Sequence, residues 1–264
     1  GYIPKDESIV IPSRHLGLSI DETFCFDTFA DRVAEVIDKT VNVDRLLELC
    51  TVEFSGEQTE GVICSGNRKI AIARDEAFNF MYRENVEALK RAGEVVFFSP
   101  LRDKSLPEAD MVYFPGGYPE LHLAELAANE GMRQSVRKYC ENGGRVLAEC
   151  GGMMYLCDTI TDGDGKVYPM AGVLKQGATM EQMKLKLGYR EVRVNGQRIR
   201  GHEFHYSRIL PTNEKIPVIG TIYNAKDMVV DTPVYTYKNV LASYIHFYWG
   251  ECGIDHFLML MSQK

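Results

Sequence analysis

The sequence predicts an α/β fold: a mostly parallel sheet with helices on both faces, and antiparallel additions in the C-terminal half. Two observations carry this expectation. Between residues 69 and 155, short apolar runs alternate with stretches of helical length, the pattern of buried strands joined by crossover helices. Beyond residue 155, glycine-rich turns separate shorter β-like runs with no clear crossover helix between them, which is how antiparallel strands connect.

Residues 1–66 lack a sustained pattern, and prolines stop the apolar pieces Gly1-Tyr2-Ile3-Pro4 and Ile9-Val10-Ile11-Pro12. Phe29, Val33, Val36 and Ile37, then Leu46, Leu47 and Leu49, recur near helical spacing, so one or two helices are expected within 24–50, followed by a polar linker over 55–61. The regular pattern then begins, and the domain boundary is placed between residues 66 and 67. Residues 70–73 read as a buried strand, 83–92 as a helix closed by Gly93, and 95–98 and 111–114 as strands. Helical stretches over 119–128 and 132–142 follow, the second closed by Gly143-Gly144, and 145–149 returns as a strand. Later strands are expected at 189–194, 218–223 and 240–245, with a last helix over 254–261. Asp162-Gly163-Asp164-Gly165 reads as a hairpin turn, because the rest of an EF-hand loop is absent.

Composition narrows the function classes. The 264 residues are 45% hydrophobic and 25% charged, within the globular range. A net charge of −7 argues against nucleic acid as a partner, since phosphate neutralisation needs clustered Lys and Arg. The seven cysteines are odd in number and widely spaced, fitting reduced thiols rather than a disulfide framework or a zinc site. No apolar run has the length of a membrane span, and no signal peptide is evident at the N-terminus, so a cytoplasmic protein is expected. The chain starts at Gly1 rather than Met, which reads as a piece of a longer polypeptide.

The sharpest local signal is Leu147-Ala148-Glu149-Cys150-Gly151-Gly152, a strand running into a helix through a cysteine followed by two glycines. A nucleophile on such a turn needs close backbone approach, which side chains at Gly151 or Gly152 obstruct, and the helix N-terminus favours a thiolate. A buried structural cysteine beside a tight turn is the competing reading. Attack on a carbonyl also needs a base and oxyanion donors. Pro115-Gly116-Gly117-Tyr118-Pro119-Glu120 follows a strand and opens a helix, so the N–H groups of Gly116 and Gly117, with that of Gly151, are candidate oxyanion or glutamine-binding donors, although an ordinary β-to-α turn has the same form. Of the six histidines (15, 122, 202, 205, 246, 256), His246 stands at a strand's C-terminal end and is the best-placed base, whereas His122 and His256 fall within amphipathic helices. His202-Glu203-Phe204-His205 lacks the HExxH pattern and a third ligand, so a structural or substrate-contact role is expected for His202 and His205 and no metal site is assigned. No GxxxxGK[ST] run occurs, so nucleotide hydrolysis is not assigned to this chain.

These motifs, in this order, resemble the C-terminal part of the cobyrinic acid a,c-diamide synthase family, with its flavodoxin-like class I glutamine amidotransferase domain. The resemblance runs from Ala73-Arg74-Asp75-Glu76-Ala77-Phe78, with Tyr82 and Asn85, through Phe98-Ser99-Pro100-Leu101 and the motifs at 115–121 and 148–152. It continues through Gly201-His202-Glu203-Phe204-His205-Tyr206-Ser207 to Ala242-Ser243-Tyr244-Ile245-His246. Gly1-Tyr2-Ile3-Pro4 and Arg14-His15-Leu16-Gly17-Leu18 resemble the tail of that family's N-terminal ATP-binding domain, so 1–66 is read as that tail plus linker helices and 67–264 as the amidotransferase domain. The resemblance implies that Cys150 attacks the glutamine side-chain amide and that His246 raises its nucleophilicity. Ammonia is then expected to pass to corrinoid carboxylates activated with ATP and Mg2+ on the other domain. No cofactor is expected in this fragment itself, which is expected to lack synthetase activity when alone. Hydrogenobyrinic acid or a nickel-sirohydrochlorin are alternative tetrapyrrole acids, and a non-catalytic docking module is an alternative role. The wider class has a Glu two residues beyond the histidine, where this chain has Tyr248. What orients His246 is therefore left open.

Overall fold

A computed structural model describes residues 1–11, 13–14, 17–18, 24–53, 68–212, 214–250 and 254. The chain divides into two compact units, Gly1–Gly61 and Val62–Lys264. The first contains the antiparallel pair β1 (Ser13–Arg14) and β2 (Gly17–Leu18) and the helices α1 (Phe26–Thr40) and α2 (Val43–Cys50). The Asn42 side chain caps α2 by accepting the Arg45 N–H at 2.9 Å. The linker expected over 55–61 lies outside the described residues, as does nearly all of the helix expected over 254–261.

In the second unit the alternation produces β3 (Arg68–Ala73), α3 (Arg83–Ala92), β4 (Gly93–Phe98), β5 (Met111–Phe114), α4 (Leu123–Ala128), α5 (Glu130–Glu141), β6 (Arg145–Glu149) and α6 (Gly151–Leu156). Strands β3 to β6 are parallel, and Ile70 to Ala73 and Met111 to Phe114 are buried on both faces, as their unbroken apolar character requires. From α6 the chain enters β7 (Cys157–Thr161), β8 (Val167–Pro169), β9 (Leu174–Thr179), β10 (Lys186–Val194), β11 (Gln197–His205), β12 (Arg208–Ile209), β13 (Thr221–Asn224), β14 (Val234–Tyr237), β15 (Val240–Ser243) and β16 (Ile245–Phe247). The six-stranded sheet has the order β14-β15-β6-β5-β3-β4, with only β14 antiparallel to its neighbour. Its order reverses at β3, so right-handed crossovers place α3 on one face and α4 and α5 on the other.

The expected antiparallel additions form two four-stranded sheets, β13-β10-β11-β16 and β12-β9-β7-β8, the latter containing one parallel pair. The Asp162 carboxylate closes the β7–β8 hairpin by accepting the N–H groups of Asp164 and Lys166, both at 2.9 Å. One expectation needs correction: 240–245 is not one strand. Parallel pairing with β6 ends at Ser243, the chain breaks at Tyr244, and β16 joins β11 in the antiparallel sheet. The Ser243 hydroxyl stabilises the break by accepting the Ile245 N–H at 3.2 Å. One core joins both sheets, with Ile72, Tyr113, Leu147 and Leu241 packed against Val192, Ile199, Phe247 and Trp249.

Candidate active site

Three strand ends meet at the C-terminal edge of the parallel sheet: β5 runs into Pro115-Gly116-Gly117, β6 into Cys150, and β15 into the break before β16. Cys150 sits at φ 45°, ψ −107°, a conformation costing a non-glycine residue roughly 1–3 kcal/mol. Its N–H donates to the Ser243 carbonyl at 2.8 Å and its carbonyl accepts the Met154 N–H at 3.0 Å, which hold the turn. The glycines permit the approach of the two loops. A Cβ on Gly152 would lie 2.3 Å from the Phe114 carbonyl oxygen, and one on Gly151 would lie 2.7 Å from Pro119 Cδ and 3.2 Å from Gly117 N. Gly117, at φ +154°, passes so close to Ala77 that a Cβ would lie 2.2 Å from its carbonyl oxygen. The Tyr118 N–H is committed to that same carbonyl, whereas the Gly117 and Gly151 N–H groups enter no backbone hydrogen bond among the described residues. The Gly117 nitrogen thus lies close to Gly151, the residue directly after Cys150.

His246 is the central residue of β16 and 4% exposed. Its cross-strand neighbour is His202, whose ring stacks on it at 4.7 Å and 14°. Phe80 packs edge-on at 4.6 Å, and Gly116 lies against the ring. The Nδ1 atom is buried with no hydrogen-bond partner among the described residues. Ring packing therefore fixes the imidazole in the direct contacts seen, with no carboxylate on it. Burial, then the neighbouring His202 and His205, lower the His246 pKa to about 3, which keeps the ring neutral and able to accept a proton. On His202, Nδ1 meets the Tyr82 hydroxyl at 2.5 Å.

The sulfur departs from the sequence expectation. Burial foremost, then Glu120, Glu149 and Glu203, push the Cys150 pKa well up, and the opposing hydrogen bond from the Gly151 N–H does not offset them. The resting group is a thiol, so its nucleophilicity depends on transferring the proton at the moment of attack.

His202 and His205 do not act together. Three residues apart on one strand, they face opposite sides of β11. His205 stacks on Tyr244 at 3.6 Å and bonds Glu203 Oε1 at 2.9 Å and the Ser207 carbonyl at 2.7 Å. Glu203 also accepts from Arg190 Nε at 2.7 Å and Thr232 Oγ1 at 2.9 Å, with Lys186 Nζ at 3.3 Å. Burial alone would raise the Glu203 pKa, but His205, Lys186, Thr232 and Arg190 together hold it at about 2. His202 packs on His246; His205 belongs to this buried ionic network. His122 lies at the junction between a 3-10 turn, Pro119–Leu121, and α4, rather than within a helix, and His15 and His256 lie outside the described residues. Among the described residues no group of three His, Cys, Asp or Glu side chains is placed to hold a metal ion.

Sequence reasoning assigned no role to Glu149 or Glu203. Glu203 lies in a polar stretch that does not advertise burial, and Glu149 is a lone charge within the apolar run 146–156, yet both are 1% exposed or less. Tyr82 and Asn85 were part of the resemblance, but nothing in the sequence indicates what they touch.

Comparison with known proteins agrees with this architecture. Residues 69–252 match the CobB/CobQ-like glutamine amidotransferase domain. The cobyrinate a,c-diamide synthase of Salmonella typhimurium (strain LT2) is 34% identical over 266 residues, covering 95% of this chain and 58% of that protein. The hydrogenobyrinate a,c-diamide synthase of Pseudomonas aeruginosa is 36% identical over 255 residues, covering 94% and 56%. The chain thus spans little more than half the length of these relatives. A crystal structure of a glutamine amidotransferase superimposes with a TM-score of 0.50 at 24% identity, covering 74% of this chain and 99% of that one, a likeness of fold.

Proposed function

The chain belongs to the CobB/CobQ-like glutamine amidotransferase domain family, and from that premise we propose that it hydrolyses glutamine at a Cys150–His246 dyad. The observation that carries this reading is the strained Cys150 turn beside the Gly117 and Gly151 N–H groups, with His246 held against the adjoining Gly116.

The thiol proton passes to neutral His246 as sulfur bonds to the glutamine carboxamide carbon. The Gly117 and Gly151 N–H groups hold the oxyanion. Collapse breaks the carbon–nitrogen bond while His246 returns the proton to the departing nitrogen, giving ammonia and a γ-glutamyl thioester. His246 then takes a proton from water, which adds to the thioester; the carbon–sulfur bond breaks, the thiol is restored and glutamate leaves.

In the longer enzyme the ammonia meets the a and c carboxylates of cobyrinic acid, activated as phosphate esters. The relatives' names support this substrate and support hydrogenobyrinic acid as the alternative. We place the ATP and Mg2+ for that activation outside this chain, in a part of the longer enzyme that it does not span. No GxxxxGK[ST] run and, among the described residues, no metal-holding cluster fits either group. Residues 1–66 are read as the tail of that ATP-binding half with linker helices. A cytoplasmic setting is supported by the five described cysteines, all free, and by the lack of a membrane-length apolar helix among the described residues.

The test is glutamine turnover measured as ammonia release. Wild type is expected to turn over and Cys150→Ala to fall to background; full activity in Cys150→Ala would contradict the reading.

A further inference from the structure

A catalytic imidazole needs something to fix its orientation, and His246 Nδ1 has no partner among the described residues. Resting on the glutaminase reading above, we propose that Glu149 is the positioning residue for His246, acting through the backbone that carries the imidazole.

Glu149 is the last residue of β6, directly before Cys150 and opposite Ser243 in the parallel register. Its side chain is buried and turned toward β16, where one carboxyl oxygen accepts the Phe247 N–H at 3.2 Å. The other oxygen accepts the Tyr113 hydroxyl at 2.8 Å. From another direction Asn85, fully buried, donates to the Phe247 carbonyl at 2.7 Å and accepts the Trp249 N–H at 2.9 Å. Two buried side chains therefore hold the backbone immediately after His246.

This clamp matters because a strand alternates its faces. A one-residue slip at Phe247 would turn His246 away from His202 and Gly116. Burying Glu149 and Asn85 is tolerable because their polar atoms find these partners. Since Glu149 and Cys150 are adjacent, one short segment places both the sulfur and the strand that carries the base. The Phe247 bond needs one acceptor oxygen rather than charge, so an amide at this position keeps that contact, while the Tyr113 hydroxyl would accept from the amide N–H instead of donating.

The test is steady-state glutaminase kinetics on the 264-residue chain for Glu149→Ala, Glu149→Gln, His246→Ala and the Glu149→Ala/His246→Ala pair. Glu149→Ala is expected to lower kcat about 50- to 100-fold with KM within about threefold, and Glu149→Gln to stay within about threefold of wild type. In the His246→Ala background the alanine at 149 is expected to add no more than about a twofold loss, because both changes remove the same positioned base. Equal losses in both backgrounds would mark Glu149 as merely structural and overturn the proposal. So would Glu149→Ala retaining wild-type kcat. If Glu149→Ala does not fold, a folded Glu149→Gln decides: wild-type kcat supports the proposal, and a hundredfold loss overturns it. An inactive wild type would instead contradict the glutaminase reading itself, and this inference with it.

Discussion

Gly116 lies flat against the imidazole of His246: a Cβ built there would sit 2.2 Å from Cε1 and 2.9 Å from Nδ1. The glycine therefore shapes the seat of the base, beyond any part its N–H plays. Gly116→Ala must push the ring aside, and a displacement of about 1 Å costs catalysis on the order of 100-fold. A loss of that size in kcat is expected in glutaminase assays, while Gly163→Ala, which has nothing within 4 Å of the added methyl, is expected to leave kcat unchanged.

His246, with its pKa lowered to about 3, stays neutral throughout the ordinary working range. The kcat/KM profile for glutamine is therefore expected to stay level as pH falls from about 8 to about 5, with its acid limb lower still. A limb centred near the ordinary histidine value of 6.5 would contradict the buried, desolvated setting of the ring.

The raised Cys150 thiol and the exposed Cys25, whose pKa is lowered by Thr28, predict an order of reactivity. Iodoacetamide at pH 8 is expected to alkylate Cys25 well before Cys150, as read by timed peptide mapping.

Glu203 anchors Arg190, Lys186, Thr232 and His205 without exposure. Glu203→Ala leaves the buried Arg190 guanidinium uncompensated and is expected to cost roughly 3–5 kcal/mol in urea denaturation. Its folded pKa of about 2 lies below the unfolded 4.5. The contribution is therefore complete above pH 4.5 and is lost as pH falls toward 2. Acid unfolding of Glu203→Gln is expected to lack that component.

For Glu149 the sign reverses. Burial raises its pKa to about 8 against the bonds from Tyr113 and Phe247, above the unfolded 4.5. Its contribution is complete below pH 4.5 and is lost as pH rises through 8. Between pH 5.5 and 8.5, wild type is expected to lose stability relative to Glu149→Gln, on the order of a few kcal/mol in denaturant melts.

The sequence made the parallel core legible because buried strands such as Ile70 to Ala73 leave unbroken apolar runs. It made Cys150 legible because two glycines are needed for the close approach of Phe114, Pro119 and Gly117. The break at Tyr244 left no such mark, since one apolar run continues through it while the pairing partner changes from β6 to β11. Cross-strand relations were equally hidden: His202 meets His246 only through register, and strand period alone separates His202 from His205. The thiolate expectation came from the turn and helix start. What reverses it is first the burial of the sulfur, then the carboxyl groups of Glu120, Glu149 and Glu203, on three separate segments.

On the proposed reading, this site directs glutamine chemistry to a sulfur whose surroundings otherwise keep it a thiol. Treatment with a diazoketone analogue of glutamine, followed by peptide mapping, tests it most directly. One adduct per chain is expected on Cys150, suppressed by excess glutamine and strongly slowed in His246→Ala. Labelling of Cys25, Cys50, Cys140 or Cys157 with Cys150 unmodified would contradict it.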